Sequence, residues 1–465
     1  MGEREAGSGS SLAGGGEIPL ESFVVHVNGA NTAVPLSETE KSWLEHIMIG
    51  ESSKTQHEVI AVKIERVSPM LRDVRENSGC YDPLVVSIGP YHYGNTRLEL
   101  MQRHKLTMAR QYVNGNSNLL EDLYRKVRRL AKDARECYTD GSSVAKFNNE
   151  EFTQMMVLDG CFILQFICCI VKFEREALKM KSNMIALVQR DLFLLENQIP
   201  FQVLNELSFN KFGNETEKKT MLNQFVTQIR SLPSHRPKKS INDILRELPF
   251  GARREVQDAK GITGTFDGEP AHLLDLIRTN LFDKTDLTRL PPRDRSEWFS
   301  YRSAKELKAV GIHFRPSKTN KFTDVAFQPG YLAKLELPPI YLDDSTKSML
   351  LNMVAYESST NGPDDFGVSS YICLMDSLID QAEDVKELRS KGILLNFLGS
   401  DQQVADLFNN IAGNLVAHQH AYADVKNRIE KHCKKRSKKI GSTQGKALAV
   451  HLFCMAARLV FRMVI

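Results

Sequence analysis

Apolar residues recur along most of the chain with the spacing of helices, and one stretch is apolar on every side. Residues 150–173 read EEFTQMMVLDGCFILQFICCIVKF. As a helix, this segment is apolar around nearly its whole circumference from Met155 to Val171, so it must be surrounded by protein on all sides. Asp159 and Gln165 lie inside it, so its uninterrupted apolar stretches are far shorter than the roughly 20 residues that a bilayer requires. We therefore predict a central core helix.

Other segments with helical periodicity flank this one. The apolar spacing predicts helices at about 97–113 and 119–137 before it, and a further helix at 272–282. Helical patterns return near residue 350 and continue to about residue 430. The chain is therefore expected to be mostly helical.

A few short segments have the pattern of strands. The pattern predicts a short strand at Leu84–Ile88, which ends in a Gly89-Pro90 turn, and another at Ile312–Phe314. The stretches FTDVAF and LELPPIYL add strand-like pieces punctuated by proline and glycine. We expect a small antiparallel meander from these pieces. The predicted fold class is mainly α (α+β), a large helical globular domain with a small antiparallel β element.

Composition divides the chain into three regions. Residues 1–34 are rich in glycine and serine, which predicts a disordered leader. Residues 35–430 are expected to form the helical globular domain, and 230–270 is where it would divide. Residues 431–465 combine a polybasic stretch with an apolar segment. The N-terminus lacks the basic start and apolar run of a secretory signal, so we expect the globular part in the cytoplasm.

Charge and cysteine usage exclude some function classes. The 61 basic and 57 acidic residues leave a formal charge of +4, whereas general nucleic-acid binders carry a concentrated basic excess. The eight cysteines form no CxxC pair and have no metal-ligand spacing. We therefore expect no nucleic acid, no metal and no cofactor.

No catalytic signature is complete. The stretch IGSTQGKA at 440–447 has three residues between its glycines where a phosphate loop needs four, and Ser or Thr does not follow Lys446. Asp159 and Glu196 are the remaining candidates, because both are expected in apolar helices that pack together, where burial would raise one pKa. Such a carboxylate pair would suit a hydrolase-like enzyme, but no substrate pocket is evident in the sequence.

Three polar residues interrupt the apolar run DLFLLENQIPFQVL at 191–204. Pro200 disfavours helical geometry at the residue before it, so a helix that begins near Asn183 must break at 197–199. A break in a buried helix leaves carbonyls and amides without partners. We predict that Glu196, Asn197 and Gln198 bond these groups and form a structural polar elbow with Pro200.

The C-terminus predicts contact with a membrane surface. Each basic residue near an anionic leaflet contributes about 1 kcal/mol, and the run KHCKKRSKK contains six, namely Lys431, Lys434, Lys435, Arg436, Lys438 and Lys439. Residues 447–465 are apolar except for one histidine and two arginines on one helical stripe. That pattern suits a helix lying in the interface at least as well as one crossing the bilayer. The alternative is a soluble cytoplasmic protein whose tail packs on its core.

Two central stretches carry a family resemblance. MMVLDGCFILQF at 155–166, followed by RDLFLLENQIPFQVL at 190–204, resembles the signature of the plant family called domain of unknown function 247. Five further stretches match in the order of that family: IGPYHYG at 88–94, HLLDLIR at 272–278, SAKELKAVGIHF at 303–314, LLNMVAYE at 350–357 and GILLNFLGSDQQVADLFN at 392–409.

The resemblance implies a plant protein with a mainly helical globular region, usually followed by a single membrane-spanning helix, and with no established catalytic activity. Some grass members are pollen-side recognition factors of self-incompatibility, and a related role is the furthest expectation that the resemblance supports. This chain departs from the family where its polybasic run and charged tail replace an aromatic-rich stretch and an uncharged span.

We expect a non-catalytic plant recognition or scaffold protein, attached to a membrane by its C-terminus and without a small-molecule substrate. Its protein partner would contact the loops near 210–268 and 283–300, since loops on a rigid scaffold vary without disturbing the core. The alternative is a hydrolase-like enzyme that uses Asp159 or Glu196.

Overall fold

The structure is a computed structural model that describes residues 37–38, 41, 63–230, 269–282, 302–413, 415, 417–418 and 420–436. The predicted leader and the apolar C-terminal segment lie outside these residues, as does most of the two predicted partner-contacting loops. The chain forms two compact units, 1–59 and 60–465. In the first, the described residues show one helical hydrogen bond, from Lys41 N to Ser37 O at 2.9 Å. All elements below belong to the second.

Helices make up most of the second unit, and we number them in chain order. Short 3₁₀ turns lie at Arg75–Asn77, Thr96–Leu98 and Arg175–Leu178. The α-helices are α1 Pro69–Arg72, α2 Glu99–Tyr112, α3 Ser117–Glu136, α4 Gly141–Ala145, α5 Asn149–Val171, α6 Ser182–Asp191, α7 Phe201–Phe212, α8 Glu215–Arg230, α9 Leu273–Thr279, α10 Ala304–Ala309, α11 Thr346–Glu357, α12 Gly367–Leu378, α13 Ala382–Ser390, α14 Asp401–Ala412 and α15 at 423–436.

The central helix α5 begins at a capping box in which Asn148 and Glu151 bond each other's backbone amides. Helices α2, α3, α7 and α8 pack around it, which explains why its sequence is apolar on every face. By length and composition alone it could cross a membrane, but 89% of its apolar window is buried inside the protein. A core helix has the same composition, and the packing is that of the predicted core helix.

Among the described residues in the second half of the chain, five short strands form two small sheets. They are β1 Ile312–Pro316, β2 Ala326–Gln328, β3 Ala333–Leu337, β4 Ile340–Leu342 and β5 Leu394–Asn396. In the first sheet β3 lies between β1, to which it is parallel, and β2, to which it is antiparallel. In the second, β4 and β5 are parallel.

The prediction of a mainly α fold with a minor β element is confirmed, but the antiparallel meander is wrong in part. Among the described strands only the β2–β3 pair is a hairpin. β1 is separated from its partner β3 by residues 317–332, which contain β2, and β4 pairs with a strand some fifty residues later in the chain. Proline and glycine mark where a strand ends, and they carry no information about the direction or the distance of its partner.

Two further boundaries differ from expectation. The predicted strand Leu84–Ile88 lies outside both sheets, with Leu84 exposed and Val86–Ile88 buried; we call residues 84–89 the extended segment. The helix expected to run to 197–199 already ends at Asp191. Both differences have one cause, because the polar side chains that follow Asp191 bond the extended segment as well as their own turn.

Candidate functional site

The polar elbow lies in a non-helical stretch of nine residues, 192–200, between α6 and α7. Every residue from Asp191 to Pro200 is buried, and Pro200 is extended, with φ −57° and ψ 135°, immediately before α7. Buried backbone groups outside helices and sheets still need hydrogen-bond partners. The side chains of this stretch supply many of them.

Asn197 links the elbow to the extended segment 84–89. Its Oδ1 accepts a hydrogen bond from Ile88 N at 2.7 Å, and its Nδ2 donates to Val86 O at 3.0 Å. The same Nδ2 donates to Asp191 O at 2.8 Å, at the end of α6. The side-chain amide of Asn197 therefore bonds residues 86 and 88 as a neighbouring strand would, and it bonds the last carbonyl of α6 as a further helical turn would.

Gln198 bonds its own turn and a distant helix. Its Nε2 donates to the carbonyls of Leu192 and Leu194, each at 2.8 Å, and its Oε1 accepts from Leu274 N at 3.1 Å in α9. Gly89 lies so close that a Cβ there would be 2.6 Å from Gln198 O, and its φ is +70°. A residue without a side chain is required at that position.

Glu196 is the buried end of a charged cluster that reaches the surface. Its Oε1 accepts from Val67 N at 2.8 Å and lies 2.9 Å from Arg72 Nη2, and its Oε2 accepts from Arg66 Nη1 at 3.1 Å. Only 2% of the Glu196 side chain is exposed, compared with 43% for Arg66. His92 Nε2 lies 3.6 Å from Glu196 Oε2, and burial lowers the pKa of His92.

A buried ion pair completes the polar contacts of the extended segment. Lys105 Nζ lies 2.5 Å from Asp159 Oδ1 and also donates to Ser87 O, while Asp159 Oδ2 accepts from Gly89 N at 2.8 Å. Both charged side chains are almost fully buried. Burial raises the pKa of Asp159, and the ammonium of Lys105 opposes this rise.

Asp191 is the remaining acceptor for this segment. Its carboxylate accepts from the amides of Leu84, Val85 and Val86 at 2.7–3.0 Å. Burial raises the pKa of Asp191, and these amides oppose the rise. We name six buried side chains at the elbow the proline-bend cluster, consisting of Lys105, Asp159, Asp191, Glu196, Asn197 and Gln198. Five of them bond the elbow or the extended segment, whereas Glu196, contrary to the prediction, bonds Val67 N and two arginines and no group freed by the helix break.

The structure separates the two carboxylates proposed as a catalytic pair. Asp159 is bonded by Lys105 and Gly89, whereas Glu196 is bonded by arginines and Val67. In the part of the chain that the structure describes, the two carboxylates share no partner. A cavity of about 600 Å³ lies elsewhere, lined by residues at the ends of α5 and α7 and at the start of α8, among them Lys172 and Lys211.

Sequence reasoning missed Lys105 and Asp191. Lys105 falls on the apolar stripe of α2, with Met101 four residues before it and Met108 three residues after it, and a lysine on such a stripe needs a buried partner. Asp191 opens the quoted run, but nothing in its spacing indicates that its acceptors face residues 84–86. Among the described residues no group of histidine, cysteine and carboxylate side chains could hold a metal ion, and the seven described cysteines are free.

The predicted membrane-proximal basic residues lie on α15 as far as the structure describes them. Lys431, Lys434 and Lys435 are exposed, and Lys434 Nζ lies 3.7 Å from Glu430 Oε1. Arg436 is partly buried. Lys438 and Lys439 lie outside the described residues.

Comparison with known proteins gives a family and no solved relative. A family model described as a plant protein of unknown function matches residues 64–460. The chain is similar to a UPF0481 protein of Arabidopsis thaliana, at 28% identity over 369 residues that cover 73% of this chain and 70% of that protein. It is also similar to a putative UPF0481 protein of the same plant, at 27% identity over 404 residues, 71% and 75% of the two chains. No solved structure gives a significant match.

Proposed function

Since the chain belongs to the plant protein family called domain of unknown function 247, we propose that it is a non-catalytic recognition or scaffold protein attached to a membrane by its C-terminus. The observation that carries the non-catalytic part is the hydrogen bonding of the proline-bend cluster. Each of its six side chains is bonded to main chain or to an opposite charge.

A catalytic acid or base must reach a substrate proton, directly or through one water. For Asp159 this would require leaving Lys105 and Gly89, and an unpaired buried ammonium is costly. For Glu196 it would require releasing Val67 N and two arginines. The cluster therefore has the chemistry of a device that holds buried backbone, and the protein would act by presenting a stable surface to its partner.

The membrane part of the proposal is supported by the sequence that follows α15. Residues 431–439 supply six positive charges, and residues 447–465 supply an apolar segment with a basic stripe. Electrostatic attraction to anionic lipid and burial of an apolar face reinforce each other in peripheral attachment. A self-incompatibility-type recognition role is the most specific form of this proposal.

Replacing Glu196 by Gln tests the non-catalytic part. We expect a loss of about 2 kcal/mol in the free energy of unfolding, because hydrogen bonds to a charged group are worth more than those to a neutral one. Glu121→Gln is the matched control, since its pair with Arg125 is exposed on α3, and it should change stability by less than about 0.5 kcal/mol. A Glu196→Gln protein with unchanged stability contradicts the structural role and favours the hydrolase-like alternative.

Deletion of residues 437–465 tests the attachment. The deletion retains every described residue, so we expect a folded protein that moves from the membrane fraction to the soluble fraction of plant cells. If the full and the shortened chain are both found in the soluble fraction, the proposed attachment is wrong.

A further inference from the structure

The tip of the β2–β3 hairpin exposes two adjacent apolar side chains. Tyr331 is 83% exposed and Leu332 is 61% exposed, and the neighbouring Pro329 and Gly330 are exposed as well. Single exposed apolar residues are common and need no explanation. The tip is unusual because of what lies next to it.

Arg436, at the end of the described chain, contacts the tip directly. Its Nη2 donates to Tyr331 O at 2.7 Å, and its guanidinium lies 5.6 Å from the centre of the Tyr331 ring. The same guanidinium lies beside Gly311, where a Cβ would be 3.3 Å from Nη2. The exposed hairpin tip is therefore in contact with the fourth basic residue of the polybasic run.

The position of the tip relative to α15 is fixed by packing. The His432 and Phe327 rings lie 5.8 Å apart, edge to face, and Cys433 is fully buried. Tyr422, immediately before α15, donates its hydroxyl to Phe322 O at 2.8 Å. Helix α15, which carries the first four basic residues of the run, therefore packs against the first sheet.

Chain length limits how far the apolar C-terminal segment can lie from the tip. Residues 437–446 separate Arg436 from that segment, and ten residues span at most about 35 Å when fully extended. Four of the six basic residues precede this connection and two lie within it. Any membrane that receives the apolar segment is therefore within reach of the hairpin tip.

We propose that Tyr331, Leu332 and Arg436 form a second membrane contact, which we call the tip surface, with an anionic lipid bilayer as its partner. Leu332 enters the boundary of the acyl chains, and Tyr331 lies at the level of the headgroups, where amphipathic rings are enriched. Arg436 and the adjacent Lys435 face lipid phosphates. This inference depends on the proposed membrane attachment and adds the orientation of the globular domain on the membrane.

Fluorescence quenching in vesicles tests the tip surface with the full chain. Tyr331→Trp is compared with Tyr93→Trp. Tyr93 is 46% exposed and lies much earlier in the sequence, in the loop before α2. Both proteins are bound to mixed phosphatidylcholine and phosphatidylserine vesicles with brominated acyl chains. The emission of the natural Trp43 and Trp298 is subtracted by using the unmodified chain.

We expect the tryptophan at position 331 to shift to the blue and to lose emission relative to vesicles without bromine, and the tryptophan at position 93 to do neither. If the protein is bound to the vesicles and position 331 is not quenched, the tip surface is wrong although the attachment stands. In that case the tip remains open to a protein partner. If the full chain does not bind these vesicles, both the attachment and the tip surface are wrong.

Discussion

The extended segment 84–89 and the strand β1 are both predicted from the sequence as strands, but their backbone groups find hydrogen-bond partners in different ways. The first reads LVVSIG, whereas β1 reads IHFRP and alternates buried and exposed side chains. β1 is paired residue by residue with β3, from Ile312 with Ala333 to Pro316 with Leu337. The segment 84–89 has no strand beside it in the described structure, and side chains provide its partners.

The side chains of the proline-bend cluster bond this segment at nearly every position. Asp191 accepts from three of its amides, Asn197 bonds one amide and one carbonyl, and the Lys105–Asp159 pair bonds one of each. Buried backbone groups must be paired, but the pairing does not have to come from another backbone. The pattern of a strand thus does not show which groups will pair with its backbone.

The backbone pairing of β1 and that of segment 84–89 should respond differently to side-chain substitutions. In β1, replacing a side chain of β3 leaves the backbone partners in place, so the ladder survives most substitutions. In the segment 84–89, replacing one side chain of the cluster removes the partners of one or more buried backbone groups at once. Each unsatisfied buried group costs about 1–3 kcal/mol, so the segment should be far more sensitive to polar substitution than the strand.

Asp159→Asn should have the largest effect and tests the difference in sensitivity between segment 84–89 and β1. It leaves the Lys105 ammonium buried without a counter-charge, which costs about 3–5 kcal/mol when one member of a buried pair is removed. We expect that loss in urea-induced unfolding, together with faster hydrogen exchange in peptides that contain residues 84–89. Peptides that contain β1 should keep their protection until the whole domain unfolds.

Two controls separate the charge from the shape of the side chain. Glu336→Gln, in β3 opposite Arg315, changes the charge in the same way next to a backbone ladder and should cost less than about 0.5 kcal/mol. Adding Lys105→Met to Asp159→Asn should restore part of the loss, because it removes the unpaired ammonium. If both single carboxamide substitutions cost the same, the contrast between segment and strand does not hold.

His272 is a second buried side chain that bonds a backbone amide, here at the start of a helix. Its acceptor is a neutral ring nitrogen, whereas Asp191 uses a carboxylate. Its Nδ1 accepts from Asp275 N at 3.1 Å at the start of α9, and burial lowers its pKa to about 4. A pKa below that of the unfolded chain means that stability is fully present above pH ~6.5 and is lost as the pH falls towards 4, by about 3 kcal/mol in total.

The measurement is the pH dependence of urea-induced unfolding in the unmodified chain and in His272→Asn. Asparagine is a good helix cap that does not titrate, so we expect the variant to be less stable at pH 7, where the ring contact with Tyr356 is lost, but to lose less stability on acidification. Parallel pH profiles for the two proteins would show that His272 does not carry this dependence.

The helical part of the fold was predictable because helices are local. The apolar stripes place α2, α3 and α5 within a few residues of their observed bounds, since the period of 3.6 residues requires no knowledge of distant partners. The parallel β1–β3 and β4–β5 pairs were not predictable, because strand direction depends on which segments meet in three dimensions.

The polar elbow was predictable in location but not in its contacts. Pro200 marks the break, and the cost of burying Asn197 and Gln198 indicates that they have partners. The structure gives partners for Asn197 and Gln198 in residues 86–88 and in Leu274 as well as in the elbow itself. Those distant partners come from tertiary packing, and for this reason the strand prediction at Leu84–Ile88 was wrong.

Ser87→Ala should have the smallest effect and tests whether the side chains of segment 84–89 contribute to its stability. Ser87 is buried and its carbonyl accepts from Lys105, but its own Oγ has no hydrogen-bond partner within the described structure. If the cluster holds the backbone of the segment and not its side chains, removing this hydroxyl should leave stability unchanged or raise it by up to about 1 kcal/mol, because an unsatisfied buried group is removed. The midpoint of urea-induced unfolding measures this, and a loss of more than about 1 kcal/mol would mean that the hydroxyl is bonded and that side chains of the segment share in its stabilisation.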